Sequence, residues 1–385
     1  DNHYIPLSQG DNTHPFECPL SQGSNAPTWT AVGSPRLMPD DTTAAHCSSA
    51  LELARRGKNI HDRIHDHVAL PALLVAVIDT PEFQRLRKLN QLGCTQFLFP
   101  SAVHTRFEHS IGVAHLAGKM VKHLQDEQPE LDIDHRDVLC VMFAGLVHDL
   151  GHGPFSHTFE VFVNQYRKNE AAVQGTAYTP WHHEDNSVTM LRALVANNNI
   201  QLESYGLHPN YDLNFVEHLI HGIKPHAPWP ENIGRPPAKR FLFDIVANKR
   251  NGIDVDKLDY FLRDAINCYG KPGIDCQISR LLSCSRVISA ESEPQICFQE
   301  KVALSLEDIF LLRAKLHKYV YQHRTTKVAE RMILDVFHAA QDHFFLRGKD
   351  NRRVSLAEAV DDTSAYSTMG DWILDAIEAA EDPQL

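Results

Sequence analysis

The sequence predicts a mostly α-helical protein with one small β-containing segment. Apolar residues recur at helical spacing from Leu51 onward, which is typical of amphipathic helices that bury one face. The exception is the stretch 286–298, whose composition favours strands. With 385 residues, 43% hydrophobic and 22% charged, the chain has the composition of a globular protein of one large or two modest domains.

Composition divides the chain into three regions. Residues 1–50 are rich in Ser, Thr, Asn, Gly, Pro and Asp, and this composition predicts a disordered polar arm. We expect one main domain over 51–345 and the start of a C-terminal helical region over 346–385. The longest apolar runs are too short for a bilayer, and no signal peptide opens the sequence, so we expect an intracellular protein of the nucleus or cytoplasm without a membrane partner. The eight cysteines form no Cys-x-x-Cys pair, which favours reduced thiols.

The helices follow from caps and periodicity. Thr80 is a predicted N-cap and Pro81 a first helical residue, and Ser305 is a predicted N-cap for a long helix without Gly or Pro that we expect to bend. On that helix Arg313, His317 and Tyr321 recur every four residues, which predicts a shared face. We predict helices over 80–92, 107–124, 134–148, 241–247, 253–264, 305–345 and 371–380. Two irregular connections are predicted, a polar loop over 165–180 and a proline-rich one over 225–237.

The stretch 143–157 changes abruptly from apolar residues to three histidines and an aspartate. His148 and Asp149 come at the buried end of a helix, where they are costly unless a partner satisfies them, and a divalent metal is one such partner. His152 follows at the i+4 position, and Gly151, Gly153 and Pro154 around it stop or bend the helix, which lets His157 return toward the same place. For a single histidine, a favourable contact with the helix C-terminus would explain the sequence better. Four such residues within ten positions favour a metal-centred site.

Residues of metal-ligand type occur in the order His109, His148, Asp149 and Asp256, which resembles the signature of the HD superfamily of metal-dependent phosphohydrolases. Longer blocks resemble the SAM-and-HD-domain deoxynucleoside triphosphate triphosphohydrolase family over about residues 58–380. These blocks are 79–87, 106–110, 148–157, 249–257 and 321–323. The residues before them are too few and too polar for the family's SAM domain, and we expect its C-terminal lobe to be missing as well. The resemblance implies that the main domain is an HD phosphohydrolase catalytic domain.

The resemblance also implies a reaction, the hydrolysis of a dNTP to a deoxynucleoside and inorganic triphosphate. It assigns one transition metal (Fe, Mn or Zn) to His109, His148, Asp149 and Asp256, with Mg²⁺ on the phosphates. It implies that His157 is the general acid, while His152 and His183 support the phosphates.

Further positions are implied for substrate and effector. The triphosphate would be bound by Arg106, Lys257, Tyr260, Arg313 and His317, the 3′-hydroxyl by Gln91 and Asp264, and the 2′ position would be crowded by Leu92 and Tyr321 beside Gln322. Allosteric nucleotide positions are matched by Lys58, Asp79, Gln84, Arg87, Arg280, Lys301, His323 and Arg324. His61 and Ser305 stand where the family has asparagine. We therefore expect a dNTP or GTP effector with relaxed guanine selectivity, and a homo-oligomer that is a dimer or a weak assembly.

Other interpretations stay open at this point. Tyr321 alone would be a packing tyrosine, and the charged face around Lys257 would be a solvated helix surface. A second enzyme class is another HD phosphohydrolase, acting on nucleoside monophosphates or cyclic nucleotides. A third hypothesis is a nucleic-acid-binding or scaffold protein with a vestigial site. The net charge of −12 argues against extensive binding of nucleic acid and leaves it as a side function.

Overall fold

The structure, a computed structural model, describes residues 57–272, 277–290 and 293–380. The predicted arm lies outside the described residues. The helices within them are α1 (Ala72–Ile78), α2 (Pro81–Gln84), α3 (Arg106–Glu127), α4 (His135–Val147), α5 (His157–Gln174), α6 (His183–Asn197), α7 (Tyr211–His221), α8 (Phe243–Val246), α9 (Val255–Tyr269), α10 (Ile278–Ser283), α11 (Ala303–Leu316), α12 (Arg324–Ala340), α13 (Thr363–Tyr366) and α14 (Ile373–Glu378). The mostly α-helical prediction is confirmed. No helix in these ranges is long and apolar enough to cross a bilayer.

Within the described residues, six short strands form three separate antiparallel pairs. They are β1 (Lys58–Asp62) with β2 (Asp66–Leu70), β3 (Ser285–Ala290) with β4 (Glu293–Phe298), and β5 (Phe345–Arg347) with β6 (Arg353–Ser355). In the first pair Lys58 lies opposite Leu70 and His61 opposite His67. The second pair confirms the strand prediction near 286–298.

Helices α3 and α4 pack side by side in the hydrophobic core. Each begins with a capping box, formed by Thr105 with Glu108 and by Asp134 with Asp137, so both starts are fixed by local sequence. Glycine at 145 suits their close approach, because a Cβ there would lie 3.3 Å from the Ala114 Cα, a tight contact. Helix α9 packs against α3. This three-helix arrangement holds the predicted metal ligands.

Some predicted boundaries are wrong. The loop predicted over 165–180 is largely helical, because α5 contains no helix breaker before Gly175, which ends it with a positive φ of 67°. The helix predicted over 80–92 begins with the Thr80 cap but stops after a short 3₁₀ turn, since Leu89 is extended and Asn90 pairs with Thr105.

The long helix predicted over 305–345 is broken, as expected, but not capped as expected. Helix α11 begins at Ala303, so Ser305 is not its N-cap. A π-helical turn, His317–Tyr321, follows α11, and His323 then caps α12 by accepting the Thr325 N–H at 3.2 Å. The break therefore falls among the residues that were predicted to bind substrate.

The C-terminal segment packs beneath the loop that follows α4. The Asp371 carboxylate accepts the backbone N–H groups of Phe155 at 2.7 Å and Asn90 at 2.9 Å, and the Tyr366 hydroxyl donates to the Gly151 carbonyl at 2.6 Å. These bonds fix the loop between His148 and His157. The domain boundary at 345 stays a prediction.

Candidate active site

Three helices bring the four predicted metal ligands together. His109 lies in the first turn of α3, His148 and Asp149 follow α4, and Asp256 lies in the first turn of α9. The Asp256 Oδ1 is 3.1 Å from the Nε2 of His109 and 3.3 Å from the Nε2 of His148. The oxygens of Asp149 lie 3.6 and 3.5 Å from the same two nitrogens. Two imidazoles and two carboxylates therefore face one point.

The far side of each imidazole is hydrogen-bonded in a way that fixes its orientation. The His148 Nδ1–H donates to the Gly145 carbonyl at 2.9 Å, and the His109 Nδ1–H donates to the Asp259 carboxylate at 2.7 Å. Each Nε2 then faces the common point, where a bound metal would replace any proton that the nitrogen carries. The His148 Nε2 is buried and has no hydrogen-bond partner among the described residues. A metal would satisfy this nitrogen, and the donor set fits a divalent transition ion.

The buried charged groups of this cluster shift one another's pKa values. Burial lowers the pKa of His109, but hydrogen bonds to Asp256 and Asp259 outweigh it and raise the pKa to about 10. Burial raises the pKa of Asp149, but the Arg106 guanidinium and the neighbouring histidines hold it well below its usual range. The site thus keeps its carboxylates ionised at neutral pH, as a cation site requires.

Arg106 lies inside this cluster and not at the mouth of a binding cavity. Its guanidinium forms a buried ion pair with Asp149, and its Nε donates to the Ser156 Oγ at 2.9 Å. Arg106 could support Asp149 or bind a phosphate, and the structure shows it supporting Asp149. Binding of a phosphate by Arg106 stays a prediction.

The three predicted catalytic histidines also meet. The rings of His152 and His183 stack with centroids 3.8 Å apart, and the His157 ring lies 5.0 and 5.3 Å from them. The Glu160 carboxylate accepts the His183 Nδ1–H at 2.7 Å and lies 3.8 Å from the His157 Nδ1. Sequence reasoning missed Glu160, although its position one helical turn after His157 was a usable signal.

These histidines differ in their environment. His152 is buried against Asp149, and burial together with the charge of Arg106 places its pKa well below its usual range, so it is neutral. The side chain of His157 is 73% exposed and lies at the edge of a cavity. His157 is therefore the histidine of the three that both solvent and a molecule in the cavity can reach.

A cavity of about 580 Å³ opens beside the metal ligands. Predicted substrate residues that line it are Gln91, Leu92, Arg106, Tyr260, Asp264, His317, Tyr321 and Gln322. Its size is that of a typical small-molecule site. Helix α12 adds Lys327 and Glu330 to the wall, neither of which was predicted.

Lys257 and Arg313 are not among the residues that line this cavity. The Lys257 Nζ donates to the Asp254 carboxylate at 2.8 Å and faces a second cavity of about 200 Å³. This smaller cavity reaches Asp149 and Asp256 as well, so two openings meet at the metal ligands. Arg313 is exposed on α11. The predicted five-residue triphosphate clamp is therefore not assembled in one place.

Asp264 anchors the deep end of the large cavity. It accepts the Tyr321 hydroxyl at 2.6 Å and pairs with the His104 Nε2 at 2.7 Å. The nearby Gln91 Oε1 is buried without a hydrogen-bond partner among the described residues. Sequence reasoning missed His104, which lies in a loop without periodicity.

The predicted effector residues fall on several elements. Lys58 pairs with Asp79 at 3.2 Å, and the Arg87 Nε donates to Gln84 at 2.8 Å. These four residues therefore form two separate pairs. The remaining four lie elsewhere, three of them exposed and one half-buried: Arg280, Lys301, Arg324 and His323. His61 is exposed on β1. Their role in binding an effector stays a prediction.

Comparisons with known proteins agree with this geometry. A family model described as "HD domain" matches residues 106–261, which include all four metal-ligand candidates. The chain is 43% identical over 334 residues to the Homo sapiens protein named deoxynucleoside triphosphate triphosphohydrolase SAMHD1, covering 85% of this chain and 52% of that protein. It is 42% identical to the Bos taurus protein of that name, covering 85% and 55%. It is 40% identical to the Dictyostelium discoideum homologue, covering 86% and 57%. The chain spans about half the length of these curated relatives.

Proposed function

We propose that this chain, which belongs to the HD-domain family, is a metal-dependent deoxynucleoside triphosphate triphosphohydrolase. The observation that supports this most directly is the convergence of His109, His148, Asp149 and Asp256 beside a cavity of nucleotide size, whose lining includes the two aspartates. The names of the relatives point to the same substrate class.

The four ligands would hold one transition ion. When bound, such an ion acts as a Lewis acid that lowers the pKa of water and neutralises phosphate charge. The chain's own residues prepare for it: the Gly145 carbonyl fixes the tautomer of His148, and Arg106 forms a buried ion pair with Asp149.

The histidine group is placed to handle the proton of the leaving group. In the proposed reaction a water oxygen bonds to the α-phosphorus, the bond from that phosphorus to the 5′-oxygen breaks, and His157 donates a proton to the departing oxygen. The attacking water loses one proton, which replaces the proton that His157 donated. Glu160 would orient His183 and stabilise a protonated His157, because its carboxylate lies beside both rings.

The deep end of the cavity suits a deoxyribose. Asp264 and Gln91 offer hydrogen-bond acceptors for a 3′-hydroxyl, and Tyr321 and Leu92 occupy the wall where a 2′-hydroxyl would crowd. Burial and the negative Asp264 raise the pKa of Tyr321 well above its usual value, so the phenol stays protonated and keeps its bond to Asp264.

The deciding experiment is product identification. Metal-loaded protein is incubated with each dNTP and each NTP, and the products are separated by ion-exchange chromatography. We expect equal amounts of deoxynucleoside and inorganic triphosphate from dNTPs, little turnover of NTPs, and no turnover after chelation. Formation of a nucleoside monophosphate with pyrophosphate would contradict the proposal.

A second candidate, an HD phosphohydrolase of nucleoside monophosphates or cyclic nucleotides, has one observation in its favour. Arg106 and Lys257 are already paired with carboxylates and Arg313 lies outside the cavity lining, so few free cations face a triphosphate. Adding these substrates to the same assay decides between the two, since each enzyme would leave the other's substrate intact.

We also propose that Lys58 and Arg87 attract an effector triphosphate, with relaxed base selectivity because His61 replaces an amide that offers donor and acceptor together. Light scattering and activity with and without GTP test this. Activity that is absent until GTP is added, with a shift to a tetramer, would contradict relaxed selectivity.

A further inference from the structure

The Asp259 carboxylate lies behind the metal-ligand candidate His109, on the side away from the other candidate ligands. Neither the sequence nor the proposed function assigns it a role. The Asp259 Oδ2 accepts the His109 Nδ1–H at 2.7 Å. The Asp259 side chain is fully buried, with 0% exposure. A buried carboxylate at the outer nitrogen of a ligand imidazole fixes both its tautomer and its ring orientation.

Asp259 is itself held rigidly. Arg263, one turn later on α9, donates to it from Nε at 2.8 Å and from Nη2 at 2.9 Å. The Nη1 of Arg263 donates at 3.0 Å to Asp62, the last residue of β1. Helix α3 makes room for this pair only because residue 112 is glycine, since a Cβ there would lie 2.0 Å from the Asp259 Oδ1.

The other oxygen of Asp259 is bound by the β1–β2 hairpin. The His65 Nε2 lies 2.6 Å from the Asp259 Oδ1, and the His65 side chain is 6% exposed. The turn that presents His65 is fixed by Asp62, whose Oδ1 accepts the N–H groups of Ile64 and His65 at 2.8 Å each. The same hairpin carries the exposed Lys58 and His61.

We infer that Asp259 is the positioning residue that holds His109 in its metal-binding orientation, and that His65 makes the β1–β2 hairpin part of this support. The inference rests on the metal site of the proposed function but not on its substrate. Without Asp259 the His109 ring is free to rotate and to change tautomer, which presents a donor in place of a lone pair. Loss of an outer partner of this kind lowers metal affinity by about 10- to 100-fold.

The test measures metal retention and not turnover. Purified protein is loaded with Co²⁺, its visible absorption bands report the coordination geometry, and release into an excess of chelator gives the dissociation rate. We expect Asp259→Asn to release Co²⁺ about 10- to 100-fold faster than the unaltered protein, with altered absorption bands.

The matched control is Asp212→Asn. Asp212 is also a fully buried aspartate, bound by Arg136 at 2.8 Å and Arg235 at 2.8 Å, but it lies on α7 and touches none of the metal ligands. Its substitution should lower thermal stability while leaving Co²⁺ release and the absorption bands unchanged. Equal acceleration in both variants, or no acceleration in Asp259→Asn, would overturn the assignment.

A separate pair of variants tests whether His65 in the β1–β2 hairpin supports Asp259. His65→Asn should accelerate Co²⁺ release less than Asp259→Asn, by about 2- to 10-fold, because Arg263 still holds Asp259. Asn59→Ala, an exposed position on β1, should release Co²⁺ at the unaltered rate. Identical rates in these two variants would remove the hairpin from the inference. A protein that shows these release rates but hydrolyses no dNTP would contradict the proposed function alone.

Discussion

The metal-ligand cluster differs from the exposed residues of the predicted triphosphate clamp in how the fold positions them. The ligands His109, His148 and Asp149 are buried or nearly so, and each has a hydrogen-bonded or charged partner on its outer side. The clamp candidates Arg313 and His317 are exposed on α11 and on the π-helical turn after it.

The contrast shows which part of the site folding alone assembles. Burying carboxylates and imidazoles is costly unless their partners are present, so the cluster must form together with the core. Exposed cations meet no such demand, because water satisfies them. The cluster is therefore preorganised, whereas the exposed side chains of Arg313 and His317 are free to move.

The strongest test of preorganisation is Asp149→Ala. This change removes a ligand and leaves Arg106 as an unpaired buried charge, so we expect complete loss of bound metal and a fall in turnover on the order of a thousandfold or more. Elemental analysis and product assays on the same preparation measure both effects. Full metal occupancy in the variant would show that Asp149 is not a ligand.

The next largest effect is expected at His157, where the two regions meet. His157→Ala should lower kcat by about 100- to 1000-fold with KM and metal content nearly unchanged, because a general acid acts in the transition state. His182→Ala is the control, since His182 also touches Glu160, at 3.3 Å, but does not line the large cavity. A normal kcat with raised KM would place His157 in substrate binding.

The sequence predicted the cluster better than its surroundings, for a physical reason. His148 and Asp149 follow a long apolar run, and their burial could be inferred from that run alone. Asp259 and His104 were missed because their partners come from distant parts of the chain. The sequence separation is 150 positions for His109 and Asp259, and 160 positions for His104 and Asp264. The buried Asp259 and Arg263 at i and i+4 on α9 were a signal that could have been read.

The shared face of Arg313, His317 and Tyr321 was predicted from a straight α-helix. The π-helical turn at His317–Tyr321 replaces the regular turn between these two residues, which both line the large cavity, whereas Arg313, one α-helical turn earlier, does not line it. Helical spacing carries no information about such a turn. The fold class and the Thr80 helix cap depend on local sequence, and they were predicted correctly.

A moderate effect is expected from Arg313→Ala, which tests whether the exposed region binds phosphate at all. If Arg313 swings toward a bound triphosphate, its removal should raise KM for dNTPs about 5- to 10-fold with little change in kcat. Lys315→Ala, another exposed cation near the end of α11, should change neither constant. Equal small effects of both variants would mean that only general electrostatic attraction acts here.

The smallest effect concerns stability, and it should appear only on the buried side of the comparison. His115 packs beside His65, with ring centroids 5.3 Å apart, and burial together with Lys119 and His65 lowers its pKa to about 4. An unfolded histidine titrates near 6.5, so between pH 6.5 and 4 the unfolded chain binds a proton that the folded protein does not. The free energy of unfolding must therefore fall as the pH is lowered through this window.

In the metal-free protein, His115→Gln should reduce that fall by about 1 to 2 kcal/mol, less than the full pKa difference gives because the side chain keeps some contact with water. Denaturant unfolding at pH 7 and at pH 4.5 measures the difference, and His317→Gln, an exposed position, serves as the control. An identical loss of stability in the unaltered protein and in His115→Gln would show that His115 is not held neutral by the fold.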